Sequence, residues 1–249
     1  MRFVVFETER MAAAYGAGAV AAVLDMKKDA VMTLSAGEGM RTMYEELVRL
    51  HEEDALDFRD VTTLGVGEYV GLSPQHNKSM RHFMDSNLFD RMKMDRMNTF
   101  VPDGNPGNLE ETMTEYDDLP DSLGGVDIAV LEVGENGSLG FNEPAEVLET
   151  ETHVEFLSEE TMEAHARFFG SLGEVPTEGV TMGMEGLLQS RRIVIMATGE
   201  SKAEVVSALT DSKVTTLIPA TLLKLHPDVT VVLDLAAAAG LPGRACHRR

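Results

Sequence analysis

The chain has 249 residues, 43% of them hydrophobic, enough to bury the core of one large α/β domain. Its formal net charge of −21 comes from 42 acids against 21 bases. Such a surface repels nucleic acid, whose recognition needs clustered cations on phosphates. The single cysteine, Cys246, excludes an intramolecular disulfide and a cysteine-rich metal site.

Along the chain, apolar strand patterns alternate with helical ones. Residues 2–6 (RFVVF) read as a first strand, followed by a helix over 8–27. Its most apolar part, 11–24, lacks the basic flank of a signal peptide and falls short of the roughly 20 residues of a bilayer span. The expectation is a cytoplasmic protein with no membrane partner. Gly16 and Gly18 in this helix mimic a dinucleotide fingerprint but stand too far past the strand, which predicts close helix packing instead. Residues 30–35 form a second strand, and Gly37-Glu38-Gly39 opens a helix running to residue 53. A glycine-rich turn at a helix start is the right place for a phosphate cradle.

A third strand over 60–66 precedes Gly67-Glu68-Tyr69-Val70-Gly71-Leu72. A helix with Phe83, Met84, Leu88 and Phe89 on its apolar face follows, then a proline- and glycine-rich loop over 99–108 and an acidic helix from 109 to 118. Residues 126–131 have the continuous apolar pattern of a buried parallel strand. Beyond it lies a loop with Gly134, Gly137 and Gly140 that ends in Asn142-Glu143-Pro144. Ligands of open α/β sheets sit at the carboxyl ends of strands, so this loop is the leading candidate site. Further strands are predicted at 152–157, 179–184, 192–198 and 229–234, with helices after Ser158, Gly199 and Ile218. The alternation predicts a doubly wound, mostly parallel sheet with helices on both faces, a Rossmann-like three-layer α/β fold in one domain over 1–249. The basic stretch 242–249 reads as a frayed tail.

Residue identity in the loops is more specific than their glycines. EYVGL at 68–72, NLF at 87–89, G-x-N-G at 134–137 and FNEP at 141–144 follow one another in order. ETHV at 151–154, ARFF at 166–169, TMG at 181–183, G-x-x-KA at 199–203, IPA at 218–220 and LHPDV at 225–229 continue the series. Together they resemble the short form of the glucosamine-6-phosphate deaminase family over almost the whole chain. The resemblance implies conversion of glucosamine 6-phosphate to fructose 6-phosphate and ammonia, without metal or organic cofactor, in a monomer or small homo-oligomer. It also implies a carboxylate that moves a proton between C2 and C1, a histidine oriented by a glutamate, and a hydroxyl-bearing loop with Arg and Lys around the phosphate.

By this resemblance Glu143 is the orienting glutamate, Asn136 stands at an Asn/Asp position, and Arg167 and Lys202 are the phosphate cations. Other positions depart from the pattern. Gly67 stands where the family has the base aspartate, and Ser138 where it has the ring-opening histidine. Gly37-Glu38-Gly39-Met40 replaces G-S-T/S-P, removing two hydroxyls and adding a carboxylate at the anion site. Glu68 adjoins the missing base, but adjacent strand residues point to opposite faces. Losing one general base costs about 10²–10⁴ in rate, so two such losses predict impaired chemistry. Three readings follow: a deaminase with substituted groups, a catalytically silent sugar-phosphate-binding homologue, or a nucleotide-binding enzyme using the 37–39 turn.

Overall fold

The computed structural model describes residues 1–241; the stretch 242–249 read as a tail, Cys246 included, lies outside them. β1 (Arg2–Phe6) leads into α1 (Glu9–Met26), and β2 (Val31–Leu34) into α2 (Arg41–Glu52). β3 (Thr62–Gly65) and β4 (Gly67–Tyr69) precede α3 (Met80–Met84), which runs on into a π-helical turn, Asp85–Phe89. β5 (Thr99–Phe100), α4 (Leu109–Ser122) and β6 (Ile128–Glu132) complete the first half. The second half holds β7 (His153–Phe156), α5 (Glu159–Phe169), β8 (Glu178–Thr181), α6 (Met184–Leu188), β9 (Ile193–Ala197), α7 (Ala203–Thr210) and β10 (Val229–Asp234).

Seven strands form one sheet in the order β1-β10-β9-β6-β2-β3-β5, with every pairing parallel. Strands buried on both faces need apolar side chains on both, and Ile193–Ala197 is buried at every position. One face packs on α1 and α2 through Val20, Leu24, Met43 and Leu47. The other packs on α6 and α7 through Leu187, Val205 and Val206. This is the predicted doubly wound arrangement. In α1, a Cβ on Gly16 would fall 2.9 Å from Met196 Sδ and 3.1 Å from Met43 Sδ, so the helix packs closely there and a side chain would have to displace one of these flexible methionines. Gly18 has open space around it, and packing does not explain it.

Two features differ from the sequence reading. The predicted strands near 153 and 180 do not join the main sheet. With β4 they form a separate three-stranded antiparallel sheet, β4-β8-β7. The segment read as a loop from residue 99 begins with β5, the two-residue edge strand of the main sheet.

From β1 at one edge the chain crosses to β2, proceeds outward through β3 to β5, then returns to β6 and runs the other way through β9 and β10. Neighbouring strands β2 and β6 therefore carry their next connections in opposite directions. That divergence opens a crevice at their carboxyl ends, the place where open α/β sheets hold ligands.

Candidate functional site

A cleft of about 630 Å³ occupies this crevice. The turn after β2 (Gly37, Glu38, Gly39), the start of β4 (Gly67), the loop after β6 (Asn136, Ser138), α5 (Arg167) and the turn before α7 (Lys202) all line it. Eight of the ten sequence-predicted site residues thus converge from five segments. Glu143 and Glu68 stand behind its wall.

The loop after β6 is held by its own polar groups. Asn136 Nδ2 donates to Glu143 Oε2 at 2.8 Å, and its Oδ1 accepts the Ser138 backbone N–H at 3.0 Å. Asn142, fully buried, donates to the carbonyls of Leu139 (2.8 Å) and Met182 (2.9 Å), pinning the loop to the end of β8. Glu143 is 4% exposed and also accepts from Ser158 Oγ, the N-cap of α5. Burial pushes its carboxyl above the usual range, against the lowering effect of bonds from Thr161, Asn136 and Ser158. Its Oε1 is buried without a hydrogen-bond partner among the described residues.

Glu68 is turned into the protein, as strand alternation predicts. Its carboxylate accepts the backbone N–H groups of Tyr69 (2.8 Å), Met80 (2.9 Å) and Arg81 (3.0 Å). It caps the start of α3 and does not face the cleft. As a stand-in for the base it is misplaced. Gly67 also has no room for a side chain on this backbone, because a Cβ would lie 2.6 Å from the Val180 carbonyl oxygen of the neighbouring strand.

At the 37–39 corner Glu38 lines the cleft, but its carboxylate does not cap the helix start. It forms a two-pronged ion pair with Arg41, Nε to Oε1 at 2.6 Å and Nη2 to Oε2 at 2.8 Å, and its side chain is 47% exposed. The Arg41 bond holds its carboxyl below the ordinary glutamate value, against desolvation. The carboxylate that faces the turn belongs to Glu132, the last residue of β6. Its Oε2 would lie 2.6 Å from a Cβ on Gly37, and its Oε1 closer still to one on Gly39. Lys202 Nζ stands 3.6 Å from Glu132 Oε1 and donates to the Val133 carbonyl at 2.7 Å. Arg167 stacks on Phe168, 4.7 Å above the ring centre, and pairs with no carboxylate among the described residues. A nucleotide phosphate at the 37–39 turn would meet the same Glu132 carboxylate.

The sequence reading also passed over His165. It lines the cleft, and its Nδ1 shares a 2.8 Å hydrogen bond with Tyr69 Oη. Burial, reinforced by Lys202 and Arg167, pulls the imidazole down to about 4, which keeps it neutral at pH 7. Its position within AHARFF, two residues before the matched arginine and on the same helix, was the available signal.

Fold and cleft define a doubly wound α/β protein with a small polar ligand site at the switch point of its sheet. The family model for glucosamine-6-phosphate isomerases/6-phosphogluconolactonase matches residues 7–232. A glucosamine-6-phosphate deaminase of Clostridium perfringens strain 13 is 42% identical over 238 residues, covering 96% of this chain and 98% of that protein. One from Bacillus velezensis is 42% identical over 224 residues, 90% and 93% of the two chains. The solved structure of a monomeric glucosamine-6-phosphate deaminase superposes with a TM-score of 0.93 at 37% identity, covering 96% of this chain and all of that one. A 6-phosphogluconolactonase from Trypanosoma brucei shares the fold, with a TM-score of 0.76 at 17% identity. The chain belongs to the glucosamine-6-phosphate deaminase family.

Proposed function

We propose that this chain keeps the family's cleft as a hexosamine site, for ligands of the glucosamine 6-phosphate class, while its deamination chemistry is strongly impaired. The observation that carries this reading is Gly67. It stands at the family's base position, with the Val180 carbonyl oxygen only 2.6 Å from where a Cβ would sit. Ser138, at the histidine position, compounds the loss because a hydroxyl does not titrate near neutral pH. Glu143 and Asn136 retain their mutual bond without an imidazole to orient. A monomer or small homo-oligomer in the cytoplasm fits this reading, and the solved relative at 37% identity is described as monomeric.

The test measures ammonia release from glucosamine 6-phosphate beside the Clostridium perfringens relative, together with thermal stabilisation by glucosamine and by its 6-phosphate. The expected result is a rate at least about 10²-fold below the relative's, with stabilisation by at least one sugar. A rate comparable to the relative's overturns it. One observation favours that second reading: His165 and Tyr69 form a neutral hydrogen-bonded pair within the cleft, where a relocated acid–base couple would stand. In that case His165→Asn abolishes the turnover.

A further inference from the structure

Three cations approach the corner where β2 and β6 end, and two of them already have anions. Arg41 is bound at two points by Glu38, and Lys202 faces Glu132. Arg167, on α5, completes the set. Glu132 differs from Glu38 in placement. Its side chain is 23% exposed, and its two oxygens lie against the two glycines of the turn, where a Cβ at either position would overlap them. The glycines make room for the carboxylate, so the concave side of the turn is occupied by a side chain of the protein itself. Desolvation raises the Glu132 carboxyl above the usual glutamate range, while Lys202 and Arg167 oppose that rise and Glu38 adds to it.

We propose that Glu132 is a specificity-determining residue that excludes a phosphoryl group from this corner, so that the cleft prefers an unphosphorylated hexosamine to its 6-phosphate. The inference rests on the hexosamine reading above. A phosphate dianion at the turn meets the carboxylate at close range, with Lys202 already engaged. An uncharged hydroxymethyl group brings no such repulsion, and its O–H donates to a carboxylate oxygen. The excess of pocket cations over carboxylates in this corner is one, short of the two positive charges a dianion needs.

Calorimetric titration of the full chain at pH 7.5 tests this with glucosamine, glucosamine 6-phosphate and inorganic phosphate, on the wild type and on Glu132→Gln and Glu132→Ala. The wild type is expected to bind glucosamine at least about tenfold more tightly than its 6-phosphate. Both variants should gain at least about tenfold for the 6-phosphate, and should bind inorganic phosphate where the wild type does not. Thermal melts verify that both variants fold. A wild type that prefers the 6-phosphate overturns the inference and leaves the hexosamine reading standing. So does a preference that neither folded variant changes. If no protein binds either sugar, the hexosamine reading itself has failed, and the inference with it.

Discussion

Glu68 carries its carboxylate beneath the first turn of α3, where it accepts the N–H groups of Met80 and Arg81, which the helix start leaves without intrahelical partners, and the N–H of Tyr69 beside it on β4. Oε1 takes two of them and Oε2 the third, so both oxygens are engaged. An amide in its place turns an NH2 toward at least one backbone donor. Glu68→Gln is therefore expected to cost about 1–3 kcal/mol of stability in urea titrations, the range for a lost charge-assisted bond with a donor left unpaired. Ligand affinity of the folded variant should stay within about twofold, since the carboxylate does not face the cleft. A variant of unchanged stability but altered turnover or affinity would put Glu68 in the site, against its observed direction. The contrast with Gly67 is one of alternation along β4: one residue turns toward the cleft and its neighbour toward the interior.

At the scale of elements, Asp127 shows how the main sheet is assembled at the end opposite the cleft. It is 8% exposed and precedes β6. Its carboxylate accepts from Lys27 at the end of α1 (2.7 Å), from the Val31 N–H that starts β2 (2.9 Å), and from Arg191 ahead of β9. Burial alone would raise this carboxyl. The bonds from Lys27 and Val31 and the charges of Lys27 and Arg191 together outweigh it and hold the group below the ordinary aspartate value. A depressed folded-state value means that the unfolded chain binds more protons in the acid window. Stability is then fully present above the unfolded value and is lost as pH falls through the folded one. Asp127→Ala should cost about 2 kcal/mol at pH 7, discounted because Arg191 is largely solvated. The gap from wild type should shrink below pH 4, and a gap constant down to pH 2 would show that the carboxylate's charge contributes nothing.

The strands of this sheet were readable because a strand buried on both faces must be an apolar run, as Ile193–Ala197 is. Their pairing was not. His153–Phe156 and Glu178–Thr181 have strand patterns, but which sheet they enter is decided by long-range register with β4, a strand of only three residues. The cleft shows the same limit. FNEP and G-x-N-G locate the loop after β6, and eight of the ten predicted residues meet there. Glu132 was invisible as a site residue because in sequence it only ends a buried strand. Its meaning depends on a turn from another part of the chain closing over it. Glu38, which the sequence places at the anion site, lines the cleft but is ion-paired there with Arg41, one helical turn onward.

The whole molecule carries a charge of −21, with two acids for every base. Some are neutralised locally: Glu46 by Arg10 and Arg49, Asp85 by Arg81 and Arg96. On α4 there is no lysine or arginine, and Glu110, Glu111, Glu115, Asp118 and Asp121 are exposed along it. Like charges at helical spacing repel one another, and the repulsion is relieved on unfolding. Salt shortens the reach of these fields from about 10 Å at 0.1 M to about 3 Å at 1 M, so the folded state should gain as NaCl rises. A gain of about 1–2 kcal/mol corresponds to a rise in Tm of roughly 2–8 °C for a chain of this size. The double variant Glu115→Lys/Asp118→Lys supplies the control, because general effects of NaCl on the chain act on both proteins. Its Tm should exceed that of the wild type at 0.05 M NaCl and approach it at 1 M. Equal increments with salt in the two proteins would mean that α4 carries no significant repulsion. A wild-type Tm that is flat or falls with salt would mean that attraction within the local ion pairs outweighs repulsion over the surface as a whole.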